Sequence, residues 1–243
     1  MLKGLKNRTH IPASRAQHIA KRPSRQLSRH PACPIILSLM YLPYCLLPDL
    51  RWFVVGHQQE AFTILQNAPF QKQNGLNRYF IGGPNDVQSL SVPVHHEDRN
   101  LPLPQVRINY NQNWIKDHKQ AWQTAYGKSP FFEYYDYRFW AVFDEKPNTM
   151  QALIEGCNDV LFKNLKMTLN PVYANVEGAE KSLRAHELTS QYQQSVSNLT
   201  LHAYSQVFET KFGFRWPLSA IDLLFNLGPL CGEYFERNTQ ILG

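Results

Sequence analysis

The chain has 243 residues, 43% of them hydrophobic, which is enough for one substantial core and makes a single domain the expectation. Its formal charge of +6 belongs to one end: Lys3, Lys6, Arg8, Arg15, Lys21, Arg22, Arg25 and Arg29 precede residue 35, the first acidic residue is Asp49, and the other 17 basic residues face 19 acidic ones. The body is therefore slightly acidic, which argues against a nucleic-acid-binding domain. Cys33, Cys45, Cys157 and Cys231 fall in no zinc-binding spacing and point to a reduced, cytoplasmic chain.

Residues 1–34, rich in Arg, Lys, His and Ser, have the composition of a transit-like presequence. With PIILSLMYLPYCLL behind them they also pass for the basic and apolar parts of a signal peptide. The basic part is long for that role, no small-x-small site closes the apolar run, and Pro43 and Pro48 interrupt a stretch too short to cross a bilayer. The preferred reading is a disordered extension over 1–34, compatible with an upstream start, followed by one domain over 35–243 that opens with a buried strand at 35–39. No membrane-spanning segment follows.

Further along, 50–59 reads as a short helix and 61–65 as a strand. Turn signals at Asn74-Gly75 and at 82–85 bracket a short strand at 78–81. VQSLSVPV at 87–94 alternates as a strand whose end Pro93 places at an edge, and VRINY at 106–110 reads as another. From Asn113 the period becomes helical: Trp114, His118, Ala121, Trp122 and Ala125 share a face, and Gly127 ends the helix. Ser129-Pro130 offers an N-cap and first turn for the next helix, and 149–165 for a third after Lys146-Pro147. Residues 177–199 are polar and read as a loop or frayed helix, and 219–225 as the last helix. The fold class expected is α/β: a mixed, largely parallel sheet flanked by helices, with a helix-rich C-terminal half.

No phosphate-binding glycine loop, dinucleotide fingerprint, nucleophile elbow or zincin motif is present, so neither cofactor nor metal is called for. HHED at 95–98 carries metal-capable side chains, but neighbours at a strand end point in opposite directions, and it reads as a solvated loop. Lys72 and Arg78 bracket the Asn-Gly turn with Asn77 beside them, an arrangement able to offer two cations and an amide to a phosphate or carboxylate. His118 between two indoles is either a satisfied core residue or a base with a lowered pKa. In YGKSPFFEYYDYRFW, 126–140, eight of fifteen residues are aromatic. The 3/4 spacing sends Phe132, Tyr135, Phe139 and Phe143 to the core and leaves Glu133, Tyr134 and Tyr137 for a cleft.

Five blocks then occur in order: QKQ…NRY at 71–79, SVPV at 91–94, VRINY at 106–110, the block from Trp114 to Tyr135 ending SPFFEYY, and YSQVFETKFGF…LSAIDLLFN.GP from Tyr204 to Pro229. Together they resemble the WbqC-like family, from about Ile35 to Pro229. Members begin at the strand corresponding to 35–40 with a Tyr-x-Pro after it, here Tyr41-Leu42-Pro43, so 1–34 has no counterpart. Residues 44–48 are longer than usual, and Gly75-Leu76 replaces a bulkier, more basic pair.

The resemblance implies a role in bacterial O-antigen or surface-polysaccharide biosynthesis, with glycine or another acyl group transferred to an amino sugar. It carries over no catalytic residue. Such chemistry needs a base, donors for an oxyanion and cations for a diphosphate. The candidates are His118 as base, Asn77 as oxyanion or sugar donor, Lys72, Arg78 and Arg107 as phosphate ligands, and Glu133 with Tyr134 as sugar contacts. The partners expected are a sugar nucleotide and an acyl or aminoacyl donor, with no nucleic acid; the alternative is a non-catalytic protein that binds a sugar nucleotide or an assembly partner.

Overall fold

The computed structural model describes residues 40–59, 61–71, 75–175 and 181–239, all within one compact unit, Ser38–Gly243. The expected opening strand at 35–39 and Lys72 lie outside the described residues. The chain is α/β with a helix-rich C-terminal half.

The sheet content forms two separate pairs. Strand β1 (Phe62–Leu65) runs parallel to β4 (Pro171–Ala174), with Phe62 opposite Pro171 and Leu65 opposite Ala174. On the other side of β1, Tyr41 bridges Thr63, and the Leu42 N–H donates to the Thr63 carbonyl at 3.0 Å. The second pair is an antiparallel hairpin of β2 (Arg78–Gly82) and β3 (Val87–Ser91), in register from Arg78 opposite Ser91 to Gly82 opposite Val87. Its strands stop before Pro93, which has no N–H to extend a ladder. The strand expected at 106–110 is reduced to isolated bridges, Arg107 with Thr149 and Ile108 with Val94. The Arg107 N–H is the reason on one side, since it donates to the Asp98 carboxylate at 2.8 Å instead of to a neighbouring strand.

Helix α1 (Leu50–Gln58) starts where the Asp49 carboxylate accepts from the Arg51 and Trp52 N–H groups, satisfying first-turn donors that have no partner inside the helix. Helix α2 (Trp114–Tyr126) buries Trp114, His118, Trp122 and Ala125, the face read from its spacing. Helix α3 (Phe132–Asp144) begins later than expected: the Ser129 hydroxyl donates to Asn226 Oδ1 at 3.2 Å rather than capping, and Phe131 stands at the N-cap. Helix α4 (Met150–Leu165) is capped by Thr149, which accepts from the Ala152 N–H.

The polar stretch expected as loop or frayed helix is helix α5 (Lys181–Ser197), which seats Tyr192 and Val196, one turn apart, in the core. A short α6 (Glu209–Phe212) precedes α7 (Ala220–Leu227), capped by Ser219, and α8 (Cys231–Thr239) closes the described chain. No helix among the described residues is long and apolar enough to cross a membrane.

Much of the aromatic density of 126–140 is core. Phe225 of α7 meets Tyr126, Phe132 and Trp122 edge-on at 5.1, 5.2 and 5.4 Å, joining α2, α3 and α7. Truncating so enclosed a ring costs about 3–5 kcal/mol. Of the expected stripe, Phe132, Phe139 and Phe143 are buried and Tyr135 is half-buried.

Candidate functional site

A cleft of about 490 Å³ opens between the segment 43–49, strand β2 and one face of α5. Its first wall is shaped by a single buried amide. Asn158 of α4 accepts from the Leu47 N–H at 3.1 Å and donates to the Cys45 carbonyl at 2.8 Å, holding Leu47 in the left-handed region, φ 47°. Such a conformation costs a branched residue about 1–2 kcal/mol, which these two bonds offset. The Leu46 N–H donates to the Leu76 carbonyl at 2.9 Å and ties this wall to the turn before β2. Gly75 takes φ 63° there, and its carbonyl accepts from the Arg78 N–H at 3.0 Å.

Alternation does the rest. Tyr79 and Ile81 enter the core, so Arg78 and Phe80 stand on the opposite, exposed face of β2, and both residues line the cleft. Across from them α5 supplies Thr189, Tyr192 and Gln193.

The cleft lining is cationic. Arg51 directs Nε to Asp49 Oδ2 at 3.0 Å, adds a second, shorter bond from Nη2, and lies 5.5 Å from the centre of the Trp216 ring. Arg78 has no such counter-charge: its Nε donates to Ser91 Oγ at 3.1 Å, and no carboxylate among the described residues lies within ion-pair distance. Burial, with the Asp49 charge adding to it, pushes the Tyr192 hydroxyl well above its ordinary pKa, so it remains a neutral donor. Burial likewise raises the Cys45 thiol, which makes it a poor nucleophile.

Of the expected site residues that are among the described residues, Arg78 alone lines this cleft. His118 is 3% exposed in the core. Trp122 donates its indole N–H to the Tyr79 oxygen at 2.9 Å, which leaves the Tyr79 proton for His118 Nδ1 at 3.0 Å. The imidazole also bonds the main chain at Ser91, and burial lowers its pKa to about 4. Enclosed and partnered in this way, and not among the residues lining the cleft, the ring matches the satisfied core residue rather than the base.

Asn77 is spent within the hairpin: its Nδ2 donates to the Val92 carbonyl at 2.6 Å, and the Val92 N–H returns a bond to the Asn77 carbonyl at 2.9 Å. Arg107 is neutralised where a phosphate ligand was expected, with Nε and Nη2 donating to the two Asp98 oxygens at 2.8 Å each and Nη2 to Glu97 at 3.0 Å. Glu133 and Tyr134 lie on the exposed face of α3, outside the cleft lining. In HHED, Glu97 and Asp98 serve Arg107, and no group of three or more His, Cys, Asp or Glu among the described residues could hold a metal.

A second electrostatic centre lies under the hairpin. Asp222, 2% exposed, accepts the Tyr204 hydroxyl at 2.6 Å and Gln206 Nε2 at 3.0 Å, and Tyr126 bonds it as well. Burial raises its pKa despite these three donors. Gln206 also receives the Arg215 N–H at 2.9 Å, and Arg215 reaches the Gly83 carbonyl at 2.9 Å, so the carboxylate anchors the loop that clamps the hairpin turn.

Sequence reasoning missed Asp49, Arg51 and the α5 wall. An Asp directly before the apolar run LRWFVVGHQ is an N-cap signal, and Leu188, Tyr192 and Val196 at four-residue spacing mark a helix. No curated protein and no solved structure matches the chain. The model of the WbqC-like protein family matches residues 43–175, which include the 43–49 wall, α1, the Gly75 turn and β2, and end before α5. With more than half of its length matched, the chain belongs to the WbqC-like protein family.

Proposed function

We propose that this protein acts in the biosynthesis of bacterial surface polysaccharide or O-antigen, transferring glycine or another acyl group to an amino sugar carried on a nucleotide diphosphate. The observation that carries the reading is Arg78, a guanidinium without a carboxylate partner among the described residues, lining a cleft of about 490 Å³ beside the Arg51–Asp49 pair. That volume lies within the range of small-molecule sites. A guanidinium is suited to a diphosphate because its fork of N–H groups matches phosphate oxygens. The Tyr192 hydroxyl offers a neutral donor to the sugar, and Lys72, the second cation expected from the sequence, lies outside the described residues.

In the transfer the amine nitrogen attacks the acyl carbonyl, a C–N bond forms as the bond to the leaving group breaks, and the amine proton passes to a base. Thermal unfolding with and without UDP-glucosamine tests the binding half: the ligand should raise the midpoint of the native chain, and Arg78→Ala should abolish the rise. An unchanged rise in the variant refutes the assignment.

A second reading, a non-catalytic protein that holds the sugar nucleotide, is favoured by one observation: among the described residues the cleft offers no uncommitted base. His118 is sealed in the core, and Asp49 already receives Arg51 and two main-chain N–H groups. Mass spectrometry of the amino-sugar nucleotide after incubation with glycyl donors separates the two readings. Binding without an acylated product leaves the non-catalytic one.

A further inference from the structure

Phe80 is the feature of the cleft that anion recognition does not use. It is 40% exposed on an enclosed surface, although a ring of its size is ordinarily drawn into the core. Its neighbours explain why it is not: Tyr79 and Ile81 take the inward positions of β2, and the Phe80 carbonyl accepts from the Ser219 N–H at 2.8 Å, fixing the strand against α7. The side chain is thereby held on the same face as Arg78, two residues away along an extended strand, a separation of about 7 Å. That is close to the span of a nucleoside from its base to its 5′ phosphate. A flat apolar ring beside a guanidinium, with the Gln193 amide across the gap, therefore offers a stacking surface, a phosphate ligand and a group able to meet a base edge.

We propose that Phe80 is the stacking platform for the base of a nucleotide whose phosphates bind Arg78, and hence that the cleft takes a nucleoside diphosphate rather than a bare sugar phosphate. The inference rests on the reading of the cleft as the sugar-nucleotide site. It adds a specificity residue and an orientation: base over Phe80, phosphates at Arg78, and the remainder of the ligand directed toward the 43–49 wall. Because every base has a π face, stacking gives general nucleotide affinity, and preference for one base falls to the α5 side chains.

The test is calorimetric titration of the full chain with UDP, GDP, pyrophosphate and glucosamine 1-phosphate, using wild type, Phe80→Ala, Phe80→Tyr and Arg78→Ala. Phe80→Ala should weaken UDP and GDP between about fivefold and a hundredfold, leave pyrophosphate unchanged, and be rescued by Phe80→Tyr. Arg78→Ala should weaken all four ligands.

Loss of the base-bearing and base-free ligands to the same degree in Phe80→Ala would show a structural role and overturn the proposal. So would glucosamine 1-phosphate binding as tightly as UDP with the same dependence on Phe80, which would make the ring a sugar platform. If phosphates bind through Arg78 but none responds to Phe80, this inference fails while the cleft reading stands. If no phosphate-bearing ligand binds, the cleft reading fails first. Since Phe80 lies outside the buried cluster, the circular dichroism and unfolding midpoint of Phe80→Ala should match wild type, which confirms that the comparison is made on folded protein.

Discussion

Replacing Tyr204 by Phe removes one oxygen from the buried centre at Asp222 and keeps the ring. Tyr204 is 7% exposed, and its hydroxyl donates to Asp222 Oδ2 at 2.6 Å. A hydrogen bond to a charged acceptor contributes about 1.5–3 kcal/mol, and the carboxylate would keep only Tyr126 and Gln206. The ring still packs edge-on against Tyr234 at 5.3 Å, so little apolar contact is lost. The expected penalty where Asp222 is ionised is about 2 kcal/mol, or about 4–8 °C in the unfolding midpoint of a chain this long.

The pH dependence makes the test sharper. Asp222 already has a folded pKa above its ordinary value, so the folded state holds the proton more tightly than the unfolded state does. Its contribution to stability is therefore greatest in acid and declines as pH rises through the folded value. Tyr204 favours the ionised form, and losing it raises that value further and steepens the decline. Urea unfolding followed by circular dichroism should show a penalty that grows as pH rises and Asp222 ionises in the folded chain. A penalty that stays below about 0.5 kcal/mol at every pH refutes the reasoning, because it would mean that the hydroxyl is not bonded to a buried charge.

Asn158→Ala should cost about 2–4 kcal/mol in urea unfolding, because it strips the Leu47 N–H and the Cys45 carbonyl of partners and frees the left-handed Leu47; a cost near zero would show that water replaces the amide. Arg107 holds the Asp98 carboxyl down to about 2, so the stability it confers is complete above the ordinary Asp range and lost as pH falls toward about 2. In Arg107→Ala, an NMR titration should return Asp98 toward its ordinary value, and an unmoved carboxyl would assign the shift to the loop instead. The His118 imidazole, lowered to about 4, should show no C–H shift change between about pH 8 and pH 5.5. The unfolded chain takes up that proton below about pH 6.5, so the His118 contribution declines as pH falls from there toward about 4, and a midpoint near 6.5 in the folded protein would place the ring in water.

Local pattern carried the reading where neighbours in sequence decide the outcome. The faces of α2 and α3 and the extended stretch at 78–81 were visible in residue order. What failed depended on partners far along the chain. His118 looks like a candidate base until Tyr79, 39 residues earlier, arrives to bond it. Arg107 looks free until the turn at His96–Asp98 brings two carboxylates to it. Ser129 looks like a cap until Asn226, 97 residues later, takes its hydroxyl.

Helix α8 was overlooked, with 219–225 read as the last helix, even though the spacing of Cys231, Tyr234, Phe235 and Asn238 gives it a buried stripe. The strands expected as one sheet became two pairs because the main chain of 106–110 bonds a carboxylate and isolated bridge partners, leaving no ladder to join them.

The contact of Arg51 with Trp216 gives the cleft an optical reporter. Trp52, Trp114 and Trp122 are buried, and Trp140 is covered by Lys119 at 5.6 Å, away from the cleft lining. Trp216 touches the cleft through a cation seated 5.5 Å from its ring centre. An anion that draws Arg51 toward itself alters the field at that indole and leaves the other four in their surroundings, so occupancy can be followed as a change in intrinsic fluorescence that Trp216→Phe removes.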